Sequence, residues 1–301
     1  MITGFGALNL DKIYLVDKIP QKDEEGYVID LQIHAGGSAA NTIAGLAEFG
    51  VDTAFIGKVG SDEEGRHLIE DFEKRGVRTD GIIRSEGRSG VAMIFVDQEG
   101  NRAILVDPGV NDTIKFEEIN IEIVEKSKII HMTSFICKNG LDSFNSQKIV
   151  AEKAESISFD PGMPYVERGL NDLKPILKNT TIFLPNRKEI EMLMGTEYKE
   201  ACKIAIDLGV EVVAVKLGAE GCYVTDGKRE IYVKPFPSKV VDTTGAGDAF
   251  NAGFLYAWIK GKDLEECAKT GNYVASKLIE RIGARAYEGI DPDRNLSKLD
   301  G

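Results

Sequence analysis

The chain has 301 residues, of which 43% are hydrophobic, and its formal net charge is -12. General binders of nucleic acid or of anionic membranes need a basic face, so this charge predicts neither kind of partner. The apolar runs are too short to cross a membrane. Four scattered cysteines, at positions 137, 202, 222 and 267, form no Cys-x-x-Cys pair. They predict reduced, mostly buried thiols, no zinc site and a cytoplasmic location.

The chain opens with a predicted buried strand over residues 2–8, which is followed by the polar stretch Asn9-Leu10-Asp11. Ligands bind beyond strand ends in open α/β sheets, so these side chains are candidate substrate contacts. The alternative is a plain turn, which Asn and Asp also favour.

Two hairpins are predicted at residues 13–33 and 91–106, because each segment alternates apolar and polar residues around a charged loop. We expect them to pair into a small antiparallel sheet that covers a site.

Between the hairpins, Gly36-Gly37-Ser38-Ala39-Ala40-Asn41 begins a predicted helix with Ser38 as its N-cap. Small residues there allow close approach of a ligand, and Asn41 offers a donor and an acceptor to a hydroxyl. The alternative is a tightly packed, capped helix start. A second helix is predicted after residue 60, with a capping box from Ser61 to Glu64.

Strands and helices then alternate, which predicts βαβ units and a parallel sheet. Asn186 and Glu189 follow one of the strands and are three residues apart, so their side chains share one face of a helix. They are candidates to hold a hydrated Mg²⁺; alternatively, they form only a helix start whose charge suits the helix dipole.

The segment from Val240 to Phe250 is the most informative. Apolar residues break at Gly245 and Gly247, and an apolar stripe of helical period follows. Free N–H groups at a helix start attract phosphate. Asp248 beside them is a candidate general base; alternatively, it only complements the helix dipole.

Two familiar nucleotide motifs are missing from the sequence. There is no GxxxxGK[ST] segment, and Gly4-Phe5-Gly6 has Asn9 where a dinucleotide fingerprint has its third glycine. A nicotinamide-dependent dehydrogenase is therefore poorly supported.

Asp242-Thr243-Thr244-Gly245-Ala246-Gly247-Asp248 resembles the C-terminal signature of the ribokinase-like (PfkB) carbohydrate kinase family. Residues 36–41 with residues 59–65 resemble the N-terminal signature. The resemblance implies a single α/β domain over residues 1–301. Its mainly parallel, doubly wound sheet is flanked by helices. Insertions at about residues 12–35 and 89–107 form a small β-sheet, the lid, through which the family often dimerises.

The resemblance also implies ATP-dependent phosphorylation of a sugar or nucleoside hydroxyl, usually a hydroxymethyl group, with Mg²⁺. Asp248 is then the general base, and the anion hole is formed by Gly245, Ala246 and Gly247. The implied substrate contacts are Asn9, Asp11, Gly36, Gly37, Asn41 and Asp242. The implied ATP contacts are Asn186, Glu189, Lys216, Gly218, Gly221 and Asn272, the first two of them near Mg²⁺.

Some family members bind K⁺, for which the corresponding positions are Asp242, Thr244, Ile279, Ile282 and Gly283. Tyr287 stands near the end of that loop where a serine is expected.

Ribokinases carry a glutamate near residues 131–135, where this chain has none; Phe135 is instead a candidate to stack on a base or furanose ring. The acceptor therefore stays open between sugar and nucleoside. A binding protein of the same fold without catalysis is the alternative function.

Overall fold

A computed structural model describes residues 1–294 of the chain. The predicted domain extends to residue 301, so its last seven positions lie outside the described residues.

Within this range the larger sheet has nine strands in the order β13-β12-β11-β10-β9-β8-β1-β4-β5. Their bounds are β1 Ile2–Phe5, β4 Thr53–Gly60, β5 Ile82–Ser85, β8 Ile129–Thr133, β9 Ile157–Asp160, β10 Thr180–Phe183, β11 Val212–Lys216, β12 Cys222–Thr225 and β13 Glu230–Val233. Strands β12 and β13 form the antiparallel edge, and the other strands pair in parallel. The predicted parallel sheet is confirmed.

Helices cover both faces of this sheet. They are α1 Ser38–Glu48, α2 Glu63–Lys74, α3 Ile121–Lys126, α4 Asp142–Lys153, α5 Gly162–Val166, α6 Leu170–Leu177, α7 Arg187–Met194, α8 Tyr198–Asp207, α9 Ala246–Ile259 and α10 Leu264–Leu278. Neighbouring residues of one strand enter different cores: Ile130 packs with one cluster and Ile129 with the other. Because both faces are covered, every residue of the central strands β1, β4, β8 and β9 is buried. No helix in residues 1–294 combines the length and apolarity needed to cross a bilayer.

A smaller sheet has the strand order β3-β2-β6-β7, with β2 Asn9–Val16, β3 Val28–Gly36, β6 Gly90–Val96 and β7 Arg102–Asp107. Both predicted hairpins are present as antiparallel pairs. The prediction of a wholly antiparallel sheet is wrong, however, because β2 and β6 join the hairpins in parallel. We call this sheet the lid from here on.

Helix α2 begins one residue later than predicted. Asp62, not Ser61, is its N-cap, and one Asp62 carboxylate oxygen accepts a hydrogen bond from the Gly65 N–H at 2.9 Å. The same carboxylate accepts from the N–H and hydroxyl of Ser89, at 2.7 and 2.6 Å. An aspartate that satisfies three donors outcompetes the neighbouring serine hydroxyl for the cap.

Candidate active site

The start of helix α9 is shaped by Gly245, whose φ of 77° is left-handed. A Cβ added there would lie 2.7 Å from Ala284 Cβ, so both the conformation and the space require glycine. Three backbone N–H groups were predicted to form the anion hole, and one of them already has a partner. The Ala246 N–H donates to the Thr243 carbonyl at 3.2 Å, so the N–H groups of Gly245 and Gly247 are the better candidates to bind an anion.

Asp248 lies in the first turn of α9 and faces the first turn of α1. Ser38 Oγ donates to one carboxylate oxygen at 2.6 Å, and Asn41 Nδ2 donates to the other at 2.8 Å. Burial raises the pKa of Asp248 to about 6, although both hydrogen bonds act to lower it. The result is an oriented carboxylate that is mostly ionised at neutral pH and basic enough to take a proton. Ser38 was predicted as an N-cap; its side chain instead holds Asp248.

Asn41 links this carboxylate to a buried arginine. Its Oδ1 accepts from Arg285 Nε at 2.9 Å, and Arg285 Nη2 donates to the Gly36 carbonyl at 2.9 Å. Arg285 Nη1 also pairs with Asp71 of α2. The sequence offers no local signal for Arg285, because its partners lie more than 200 residues earlier in the chain.

Asp11 packs against Gly36 at the end of the lid. A Cβ on Gly36 would lie 2.3 Å from Asp11 Oδ2, so a larger residue there would displace the carboxylate. Burial raises the pKa of Asp11 to about 6, and the charge of Arg285 opposes this rise. Asn9 is held differently: its Oδ1 accepts from Asn111 Nδ2 at 2.9 Å.

A cavity of about 510 Å³ lies between the lid, α2 and the loop after α10. We call it the lid cavity. Of the predicted substrate and ion contacts, it brings together Asp11, Asp242, Thr244, Ile282 and Gly283.

The prediction for Phe135 is wrong. Its side chain is fully buried in a core cluster and packs edge-to-face on Phe5 with ring centroids 5.9 Å apart. An apolar ring that follows a buried strand gains more from the core than from a solvent-accessible pocket. It cannot stack on a substrate without unpacking that core.

Lys216 ends strand β11 and lies against the anion-hole turn. Its Nζ is 3.4 Å from the position that a Cβ on Gly247 would take, and it forms an ion pair of 2.6 Å with Asp160 Oδ2. Asn251 Nδ2 donates to the same oxygen at 2.7 Å. Asp160 and Asn251 were not predicted. The strand-end rule that selected Asn9 and Asp11 would also have found Asp160, which ends β9.

A second cavity of about 490 Å³ lies on the other side of the anion-hole turn. We call it the nucleotide cavity, after the ATP contacts predicted there. Its lining includes the predicted residues Lys216, Gly218, Gly221, Asn272, Ala246 and Gly247. The Asn272 amide donates to the carbonyls of Val233 and Lys234, at 3.0 and 3.1 Å, and so holds the cavity wall.

Asn186 and Glu189 form a complete capping box at the start of α7. Asn186 Oδ1 accepts from the Glu189 N–H at 2.9 Å, and Glu189 Oε2 accepts from the Asn186 N–H at 2.8 Å. Burial and the nearby charge of Asp160 raise the pKa of Glu189. In the described part of the chain, no group of three or more acidic, His or Cys side chains could hold a metal. Mg²⁺ that keeps its waters and binds phosphates needs only one or two carboxylates, and Glu189 fits that need.

The predicted K⁺ ligands fit less well. The Ile279 carbonyl accepts the N–H groups of Val241 and Asp242, at 2.8 and 3.2 Å, which occupies both of its lone pairs. Asp242 accepts from the N–H groups of Thr244 and Gly283, both at 2.9 Å. Burial acts to raise the pKa of Asp242, but these donors and the charge of Arg102 keep it below its usual value. The oxygens are thus engaged in holding the loop.

Comparison with known proteins decides the family. The family model "pfkB family carbohydrate kinase" matches residues 1–289. The chain belongs to this family. It is a sugar kinase with a ribokinase-like fold.

Three similar proteins show which kinds of family member the chain resembles. This sugar kinase is 66% identical over 246 residues to an uncharacterised sugar kinase of Archaeoglobus fulgidus, which covers 82% of the chain and 98% of that protein. It is 33% identical to the ATP-dependent ribose-1-phosphate kinase of Halopiger xanaduensis, with 96% of this chain and 95% of that protein covered. The structure of Arabidopsis thaliana ribokinase with ribose and ATP matches at a TM-score of 0.85 and 27% identity, covering 100% of this chain and 98% of that one.

Proposed function

We propose that this sugar kinase transfers the γ-phosphoryl group of ATP to a hydroxymethyl oxygen of a ribose-like sugar, with Asp248 as general base. The observation that carries the proposal is the Asp248 carboxylate, which Ser38 and Asn41 hold in the first turn of α9. The names of the relatives support a ribose-like acceptor and ATP as donor. The buried Phe135 removes the reason to favour a nucleoside.

Each group of the proposed site has its own role in the reaction. Asp248 takes the proton of the acceptor hydroxyl while that oxygen forms a bond to phosphorus and the bond to the ADP oxygen breaks. The N–H groups of Gly245 and Gly247 and the Lys216 ammonium stabilise the negative charge on the transferring group. Glu189, and Asn186 through water, would hold Mg²⁺, which neutralises phosphate charge when bound.

The test is ADP release from Mg-ATP with ribose and ribose 1-phosphate, in the wild type, Asp248→Asn and the control Asp207→Asn. Asp207 is exposed at the end of α8. We expect Asp248→Asn to lose about 10²–10⁴-fold in turnover and the control to lose nothing. Near wild-type turnover in Asp248→Asn would show that another group is the base. Ligand binding without ADP release would support the non-catalytic alternative.

We also propose that two copies of the chain associate through the lid. Strand register places Tyr14, Phe95, Leu31, Met93 and Leu105 on the lid face opposite to Asp11 and Ile13. Tyr14 and Phe95 stack with centroids 5.2 Å apart, and Leu105 is 58% exposed. A stable monomer rarely exposes so contiguous an apolar surface.

We also propose a cytoplasmic location for the protein, with which its four unpaired cysteines are consistent.

A further inference from the structure

We propose that the acceptor is itself a sugar phosphomonoester and that Arg102 of the lid binds its phosphate. This inference rests on the proposed function and specifies its substrate class.

The lid cavity differs in charge from the rest of the chain. Over the whole chain, 49 acidic residues exceed 37 lysines and arginines. The cavity, in contrast, holds three arginines against three aspartates, so its formal charge is zero before its histidines are counted. It also contains two of the chain's three histidines, His34 and His67.

Most charged side chains of the lid cavity already form ion pairs or hydrogen bonds within the protein. Arg285 and Arg75 both pair with Asp71, and the Asp242 carboxylate accepts two N–H groups of its loop. Arg102 is different. Its side chain is exposed and, among residues 1–294, it forms no side-chain hydrogen bond or ion pair, although its charge acts on Asp242. A guanidinium that lines a cavity with its hydrogen-bond donors unused can bind a phosphate with two parallel hydrogen bonds.

Strand register places Arg102 on the site side of the lid. It pairs with Val96 of β6, which lies across from Leu15 of β2, on the same face as Ile13 and Asp11. The exposed side chains of His34 and His67 line another part of the same cavity. An anionic group of the acceptor would therefore meet Arg102 and the two histidines on this side of the cavity, with Asp242 as the carboxylate on which the charge of Arg102 already acts.

The position of the general base indicates where the phosphate must be. The hydroxymethyl group has to reach Asp248, so the phosphate must lie on another carbon of the sugar. Asn41 separates Asp248 from Arg285 by a single side chain, and beyond Arg285 lies the lid cavity. We therefore assign to this cavity the phosphate-bearing, anomeric end of a furanose whose hydroxymethyl group meets Asp248. The acceptor class is thus a pentose 1-phosphate.

The chemistry is the same phosphoryl transfer on a charged acceptor. The acceptor hydroxyl loses its proton to Asp248 and gains the γ-phosphoryl group, while ADP leaves with the electrons of the broken bond. The product is a pentose 1,5-bisphosphate, and the existing phosphate ester is untouched. No further reactant is required.

The experiment compares ribose, ribose 1-phosphate and 2-keto-3-deoxygluconate as acceptors in the wild type, Arg102→Gln, Arg102→Lys and Arg84→Gln. Arg84 is the matched control, because it is an exposed strand arginine outside the lid cavity. Calorimetric binding of ribose 1-phosphate without nucleotide, to the same variants and to Asp248→Asn, separates binding from catalysis.

We expect ribose 1-phosphate to be the best acceptor by kcat/KM, and Arg102→Gln to lower that value about tenfold to a hundredfold, as for loss of a hydrogen bond to a charged group. The value for ribose should fall much less, since a sugar without a phosphate forms no charged hydrogen bond with Arg102. Arg102→Lys should retain part of the preference, and Arg84→Gln all of it.

Three results would overturn the inference: ribose equal to or better than its 1-phosphate, an equal loss for both acceptors in Arg102→Gln, or a preference for the carboxylate sugar. If no acceptor is turned over, calorimetry decides. Ribose 1-phosphate bound by Asp248→Asn but not by Arg102→Gln upholds the phosphate site while the proposed catalysis fails. Absence of binding to the wild type and every variant overturns the site itself.

Discussion

Asp248 determines how activity should depend on pH. Its pKa is raised to about 6 by burial, so the carboxylate is ionised above that pH and protonated below it. Since only the ionised form accepts a proton, we predict that kcat/KM for the acceptor falls tenfold per pH unit below about pH 6 and levels off above about pH 7. The measurement is a pH profile at saturating Mg-ATP. Asp11 has a similar pKa, so Asp11→Asn should be assayed in parallel. A profile that is flat down to pH 5 in both proteins would exclude Asp248 as the base.

Lys216 is expected to serve both the fold and the reaction. Lys216→Met leaves the buried Asp160 without its partner, which should lower the free energy of unfolding by about 3–5 kcal/mol. It also removes a cation beside Gly247, so kcat should fall by about 10²–10³-fold.

A double variant separates these two effects. Lys216→Met with Asp160→Leu no longer buries an unpaired charge, so urea denaturation should show most of the stability restored. Activity should stay low, because the cation is still missing. Recovery of activity together with stability would mean that Lys216 acts only through the fold.

Residues whose roles depend on distant partners were the hardest to predict. Asp248 belongs to a sequence signature and Lys216 to a strand end, and the structure places them in the first turn of α9 and at the end of β11. Arg285 follows no pattern, because its environment is built from α1, α2 and the end of β3. Phe135 was misjudged because an aromatic residue after a strand fits a core as well as a pocket.

At the scale of elements, the cap of α2 gives a direct test of the corrected helix start. Asp62→Ala removes a cap and its bonds to Ser89, so it should cost about 1–3 kcal/mol of unfolding free energy in urea. Ser61→Ala, the control, loses only an exposed bond to the Ser85 carbonyl and should cost under about 0.5 kcal/mol.

The Asp62 contribution should also depend on pH. Hydrogen bonds hold the pKa of Asp62 below its usual value although burial opposes them. The stabilisation is therefore complete above the unfolded-state pKa of about 4 and is lost as the pH falls through the lower folded-state value. A difference between Asp62→Ala and wild type that grows on acidification would contradict this assignment.

Strand type was easier to predict than strand pairing. Period-two alternation identified both hairpins, and continuous apolar runs identified the buried parallel strands. The pairing of the two hairpins was predicted, but the parallel orientation of β2 and β6 was not, because these strands are far apart in the chain and no connecting turn marks their direction. Strands β2 and β6 directly follow β1 and β5 of the main sheet, so their register depends on where that sheet places the ends of β1 and β5.

At the scale of the whole molecule, the lid predicts a dimer. Wild-type protein should sediment as a dimer at micromolar concentration, and Leu105→Lys should shift it toward monomer because a charge cannot be buried unpaired in an apolar interface. Met192→Lys is the control, since Met192 is 51% exposed on α7, away from the lid. A monomeric wild type would contradict the dimer. Equal effects of the two substitutions would mean that the chains associate through a surface other than the lid.

The parallel pairing of β2 with β6 also has a consequence for biosynthesis. Residues 9–36 leave the ribosome well before residues 90–107, so the first hairpin must wait for the strand that completes its sheet. During that interval β2 offers an unpaired edge, and Val28, Ile29 and Leu31 beside it are apolar and exposed even in the finished fold. The nascent chain is therefore most prone to aggregate before the second hairpin emerges. A truncation that ends near residue 88 should be far less soluble than the full chain.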